Sequence, residues 1–187
     1  MADNYLQFSE VLANLTEPEE AWLKEQLQPI RVFGETEYPE DAVPADLANT
    51  DPDWSGVHFL RDKTDYDPDC DTLGFDHAFH EDHDPKGWGR HLWLYTEECG
   101  NPDNVAWLVR KFLKKFRPGQ CWSLTFAATC SKPRVGEFGG GAIFVTADKV
   151  CWENAYDFVA RKRAAFEARK KVTRRQKKPT HRRRRIA

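Results

Sequence analysis

The chain has 187 residues, 40% hydrophobic and 31% charged, and its 12 Phe, 7 Trp and 5 Tyr can fill the core of one domain. A formal net charge of −2 conceals a split: residues 161–187 hold 14 Lys and Arg against the single acid Glu167, or +13, which leaves residues 1–160 at −15. No apolar run approaches the roughly 18–20 residues of a spanning helix, and Met1–Tyr5 lack the basic-then-apolar order of an export signal. The expectation is therefore a cytoplasmic protein with no membrane partner. Its five cysteines, widely spaced and without a Cys-x-x-Cys pair, read as reduced thiols.

Phe8, Val11, Leu12 and Leu15 recur at helical spacing and predict a short opening helix. Thr16-Glu-Pro-Glu19 predicts a second helix start, with Thr16 as cap, Glu19 as the capping-box acid and Pro18 in the first turn. Together they predict an N-terminal helical hairpin ending at Pro29. Residues 34–53 alternate acids with Pro39, Pro44 and Pro52 and carry no base, so they read as an acidic loop. Val57–Leu60 is a candidate strand. A second acidic loop, Asp62–Asp71, leads to Phe75–His80, where Phe75, His77 and Phe79 share a face at period two.

His91–Tyr95 reads as a strand. Asn101 and Pro102 then open a helix whose apolar stripe is Val105, Val109, Phe112 and Phe116, with Arg110, Lys111, Lys114 and Lys115 mostly outward and Pro118-Gly119 as its stop. Cys121–Cys130 is a strand with Trp122, Leu124, Phe126 and Ala128 on one face. Ala142–Thr146 and Val150–Trp152 form a hairpin around Ala147–Lys149. A last helix starts near Asn154, with Tyr156, Phe158, Val159 and Phe166 as its apolar residues, and runs into the basic tail. The fold class is α+β: a single domain with an antiparallel sheet of four to six strands covered by helices. The expected division is an acidic domain over 1–171 and a basic arm over 172–187, too polar to fold alone.

The segment Cys130-Ser-Lys-Pro-Arg-Val-Gly-Glu-Phe-Gly-Gly-Gly-Ala142 and the Ile-Phe-Val-Thr-Ala-Asp that follows resemble a group of small proteins of bacteria, phages and other mobile elements. Leu15–Leu23 and Leu92–Glu98 look similar to the same group, and the likeness covers residues 5–167. No activity is known for that group, so the resemblance implies no catalytic residue. It implies a bacterial or phage cytoplasm.

The arm supplies the main functional candidates: Lys170, Lys171, Arg174, Arg175, Lys177, Lys178, Arg182, Arg183, Arg184 and Arg185. Such a run suits a polyphosphate surface, because each neutralised phosphate releases counterions. No aromatic follows Phe166, which favours contacts with the nucleic-acid backbone over stacking on bases. Folding back onto the acidic body is the competing role for the arm. The acidic body itself allows a second reading, in which carboxylates imitate a phosphate array and block a basic nucleic-acid-handling protein.

A third candidate is the loop with Lys132 and Arg134 before Gly139, Gly140 and Gly141, whose backbone N–H groups could cradle an anion. It is no P-loop, since no Lys-Ser/Thr follows and a strand replaces the helix; a glycine-rich strand edge is the plainer alternative. His77, His80 and His83 are spaced wrongly for a helical zinc motif, and on a strand His77 and His80 face opposite ways, so no metal is assigned. Cys130-Ser131 lies at a strand end with no histidine placed beside it and reads as a buried thiol. No cofactor signature is present. The reading is a non-enzymatic protein that engages nucleic acid or a nucleoprotein machine, with an enzymatic role left open only at the Lys132–Gly141 loop.

Overall fold

The computed structural model describes residues 3–63, 73–83 and 87–176, with 169–176 given as helical backbone. In chain order the elements are β1 (Asn4–Leu12), α1 (Glu17–Gln26), β2 (Pro29–Phe33), β3 (Thr36–Pro39), β4 (Trp54–Val57), β5 (Asp76–Glu81), β6 (Arg90–Thr96), α2 (Pro102–Phe116), β7 (Cys121–Cys130), β8 (Gly139–Thr146), β9 (Val150–Asn154) and α3 (Ala155–Gln176). Short 3₁₀ turns follow β3 at Glu40–Ala42 and β4 at His58–Leu60. The fold is α+β. Six strands form one antiparallel sheet in the order β5-β6-β1-β7-β8-β9, and β3-β2-β4 form a second, smaller one.

Register places Phe8, Leu12, Leu92, Leu94, Leu124, Ile143 and Val145 on one face of the large sheet, all buried. α1 and α2 cover that face with Leu23, Val105, Leu108, Val109, Phe112 and Leu113, none more than 1% exposed. The apolar stripe expected of α2 is thus its core side, and Asn101 caps it by accepting the Asn104 N–H through its side-chain oxygen at 3.2 Å. The hairpin of β8 and β9 closes as expected, with Thr146 bonded to Lys149 across the turn.

The N-terminal hairpin of helices is not what forms. Its first half is the strand β1, paired on both sides with β6 and β7. Phe8 and Leu12, four apart, satisfy a helical face and an every-second-residue strand face equally, and sheet pairing decides between them. The acidic stretch 34–53 is only partly loop, since it contains β3 and a 3₁₀ turn. Of Val57–Leu60 only Val57 is in a strand, and the rest turns away as 3₁₀. Asp62–Asp71 falls mostly outside the described residues. The apolar residues of the last helix do not face a core: Tyr156, Phe158, Val159 and Phe166 are all about half exposed. The expected boundary at 172 falls within α3, and 177–187 lie outside the described residues.

Glu19 does more than cap α1. Its carboxylate accepts from the Thr16 backbone N–H and hydroxyl, at 2.8 and 2.9 Å, and takes both Nε and Nη2 of Arg117 at 2.7 and 2.8 Å. The Arg117 guanidinium beside it holds this buried carboxyl down at about 2, from an ordinary 4.5. A lowered folded-state value stabilises the fold fully above pH 4.5, and this contribution, about 3 kcal/mol, is lost as pH falls toward 2. Glu19→Gln is expected to cost about 3–5 kcal/mol at pH 7 by leaving Arg117 without its counter-charge. Urea unfolding of both proteins at pH 7, 4 and 2.5 should show that gap narrowing as the pH drops.

Candidate nucleic-acid interface

α3 follows β9 without a loop, and its first turn is built by side chains. The Asn154 side-chain oxygen accepts the Asp157 N–H at 2.8 Å, while its amide donates to the Asp157 carboxylate at 2.6 Å. Arg161 reaches back to Glu153 of β9, and its guanidinium draws that carboxyl below the usual range. Ala, Arg and Lys dominate the rest of the helix, so propensity sustains a segment that buries little: residues 155–168 are exposed throughout. Arg161 and Lys162 sit over the Phe158 ring, at 5.9 and 5.3 Å.

Eight of the 22 residues of α3 are Lys or Arg, against Asp157 and Glu167. Lys170, Lys171, Arg174 and Arg175 fall on its backbone, while Lys177, Lys178, Arg182, Arg183, Arg184 and Arg185 lie outside the described residues. A helix of this length is about 33 Å long, close to one turn of duplex DNA.

The loop after β7 is joined to this helix. The Tyr156 hydroxyl lies 2.8 Å from the Gly136 carbonyl and 2.7 Å from the Phe138 carbonyl, and its one proton serves the two acceptors in turn. Lys132 and Arg134 are exposed on that loop, together with Val135 and Phe138. The structure therefore ties two separately expected basic segments to one root. Tyr156, the side chain that joins them, was read in the sequence as one of the apolar residues of the helix; only its position two residues after an Asn cap could have marked it.

Gly139, Gly140 and Gly141 are not loop donors. They begin β8, opposite Ala128, Ala127 and Phe126 of β7. A Cβ on Gly140 would stand 2.5 Å from the Phe126 carbonyl, at φ +152°, and one on Gly141 would stand 2.5 Å from the Glu153 carbonyl. Close strand approach accounts for both glycines. Nor do His77, His80 and His83 gather: His77 and His80 lie on opposite faces of β5, where His80 sits beside His91 instead, and His83 is exposed beyond it. Among the described residues no three His, Cys, Asp or Glu side chains are grouped to hold a metal ion. Burial pushes the His77 imidazole below its ordinary value. Cys130 is buried, and the hydroxyl of Ser131 accepts from the Asp3 N–H at 2.9 Å, which ties this strand end to the start of β1.

The acidic stretch is partly neutralised by bases of β2 and of the turn after β4. Glu40 pairs with Arg31, Glu37 with Arg61, and the Asp53 carboxylate accepts the Gly34 N–H. No helix among the described residues is long and apolar enough to cross a membrane. No protein-family model matches the chain, and no curated protein or solved structure is significantly similar to it.

Gly140→Val should unfold the protein at lower denaturant, by about 2–4 kcal/mol, because the branch meets a carbonyl within the ladder. Lys132→Ala with Arg134→Ala should shift stability by no more than about 0.5 kcal/mol. Chemical denaturation of the three proteins checks both statements.

Proposed function

We propose that the protein is a non-enzymatic, cytoplasmic nucleic-acid-binding protein of bacterial or phage origin that grips phosphate backbone with α3 and the basic residues beyond it. The observation that carries the reading is the state of α3: a Lys/Arg-rich helix, capped and anchored at its first turn yet exposed along 155–168, beside a loop that adds Lys132 and Arg134. A helix this basic gains little from the fold, and its charges complement an extended anion. The competing role for the acidic body, imitation of a phosphate array, is weakened because Arg31 and Arg61 already engage Glu40 and Glu37.

With six to eight phosphates contacted, log K for duplex binding should fall against log salt with a slope of about −5 to −7. Deleting residues 172–187 should abolish most of the affinity and leave the unfolding transition unchanged. Fluorescence-anisotropy titrations of duplex DNA and RNA from 50 to 300 mM salt measure this. Equal affinity of the truncated protein would refute the reading, and binding of basic proteins by the truncated body would favour the imitation role.

A further inference from the structure

α2 carries a second concentration of positive charge, on the side away from its core stripe. Trp107, Arg110, Lys111 and Lys114 are spaced i, i+3, i+4 and i+7 along it, with Lys115 next, so helical geometry gathers them on one flank. Trp22 of α1 closes the other side, and the space between is a cleft of about 410 Å³, lined by these six residues and Asp62. That volume is within the roughly 300–1,000 Å³ of small-molecule sites.

Neither indole is buried, and both are held. Trp107 donates its N–H to the Phe59 carbonyl at 3.1 Å. Trp22 packs on Phe112 and Phe116, with centroids at 6.3 and 5.7 Å. Two of the bases are also positioned: Lys111 bonds the Phe59 carbonyl and the Asp62 carboxylate, at 3.3 and 3.1 Å, and Arg110 bonds the Ala147 and Asp148 carbonyls, at 3.4 and 3.1 Å. Lys114 and Lys115 differ. In a body where Lys24, Arg31, Arg61, Arg90, Lys111 and Arg117 all find carboxylates, no carboxylate among the described residues pairs with either. Lys115 lies instead over the Trp22 ring, 5.6 Å from its centroid. The negative end of α2 favours two lysines there, but it asks for no indole walls.

Four cations against one carboxylate suit phosphate, and two fixed indoles suit a flat aromatic ring. We infer that this cleft binds a nucleotide unit, with its base against Trp107 and its phosphate on Lys114 and Lys115. The same unit can arrive as a free mononucleotide or within a single strand. The site lies on elements other than α3 and does not depend on the proposed role of that helix.

Isothermal titration calorimetry with ATP, inorganic triphosphate and a single-stranded dT dodecamer tests the inference on the full chain. ATP or the dodecamer should bind, and Lys114→Gln with Lys115→Gln should weaken that binding about tenfold or more in a protein that remains folded. Trp107→Leu should weaken ATP by about tenfold but leave triphosphate unchanged, because only the stacked base is lost. The dodecamer is titrated with the 14 Lys and Arg of residues 161–187 changed to Gln, so that the basic segment does not hide the cleft. Binding of ATP alone assigns a free nucleotide, and binding of the dodecamer alone assigns a strand. Triphosphate binding as tight as ATP, or binding indifferent to the lysine substitutions, overturns the inference, as does the absence of binding by both.

Discussion

The carboxylate of Glu19 and the guanidinium of Arg117 meet where four segments converge. Glu19 is in the first turn of α1, and Arg117 is the residue that ends α2. Arg117 also donates to the carbonyls of Ala13 and Asn14, at 3.1 and 2.7 Å, in the corner that leaves β1. That corner is fixed to the approach of β6 by Asn14 N–H on the Trp88 carbonyl and Leu15 N–H on the Arg90 carbonyl. Asn14 has φ +54°, a left-handed conformation that asparagine tolerates. An acid at a helix N-terminus and a base at a helix C-terminus each suit the local dipole, and here the two ends are brought together so that the charges also neutralise one another. Pairing is what makes burial of both tolerable. Glu10, half-buried opposite Leu94 and without such a partner among the described residues, is pushed by burial toward its protonated form.

The same pair of helices carries the cleft. Trp22 is three residues beyond Glu19 on α1, and Lys114 is three before Arg117 on α2, so each lies about one helical turn from the ion pair. Glu19 and Arg117 fix the alignment of α1 along α2, and that alignment sets the separation of the indole from the lysines. Arg117 adds to this by stacking over Phe112, the ring on which Trp22 rests. A buried charge pair thus sets the geometry of the exposed cleft beside it.

How much of this the sequence could show follows from the range of each interaction. α2, β7 and the β8–β9 hairpin were legible because their caps, turn residues and periodicity are local and long enough to be unambiguous. β1 was not, because Phe8 and Leu12 fit two periods and only its two neighbours, more than 80 residues away, select one. β2 was missed although Ile30 and Val32 alternate inward, since five residues between Pro29 and Gly34 give too short a signal. Both sites show the same limit. The bases of α2 and of the tail were visible as charge, whereas Trp22 beside Lys115, and Tyr156 beneath the Lys132–Phe138 loop, are products of tertiary packing.

The separation of charge along the chain has a physical consequence for any anionic partner. A body at −15 repels phosphate, and a basic segment lying against it would be neutralised by its acids. At physiological ionic strength that repulsion decays over about 8 Å. Arg174 and Arg175 are some twenty residues beyond Glu153, or about 30 Å along a helix axis from the last carboxylate of β9. A continuous helix with a fixed origin therefore carries basic residues several screening lengths from its own root. A flexible tail of equal composition would spend much of its time on the acidic surface. Continuity of α3 with β9 thus separates the two charges along the chain, so the acids around β2 and β3 can serve solubility without cancelling the charge at the other end.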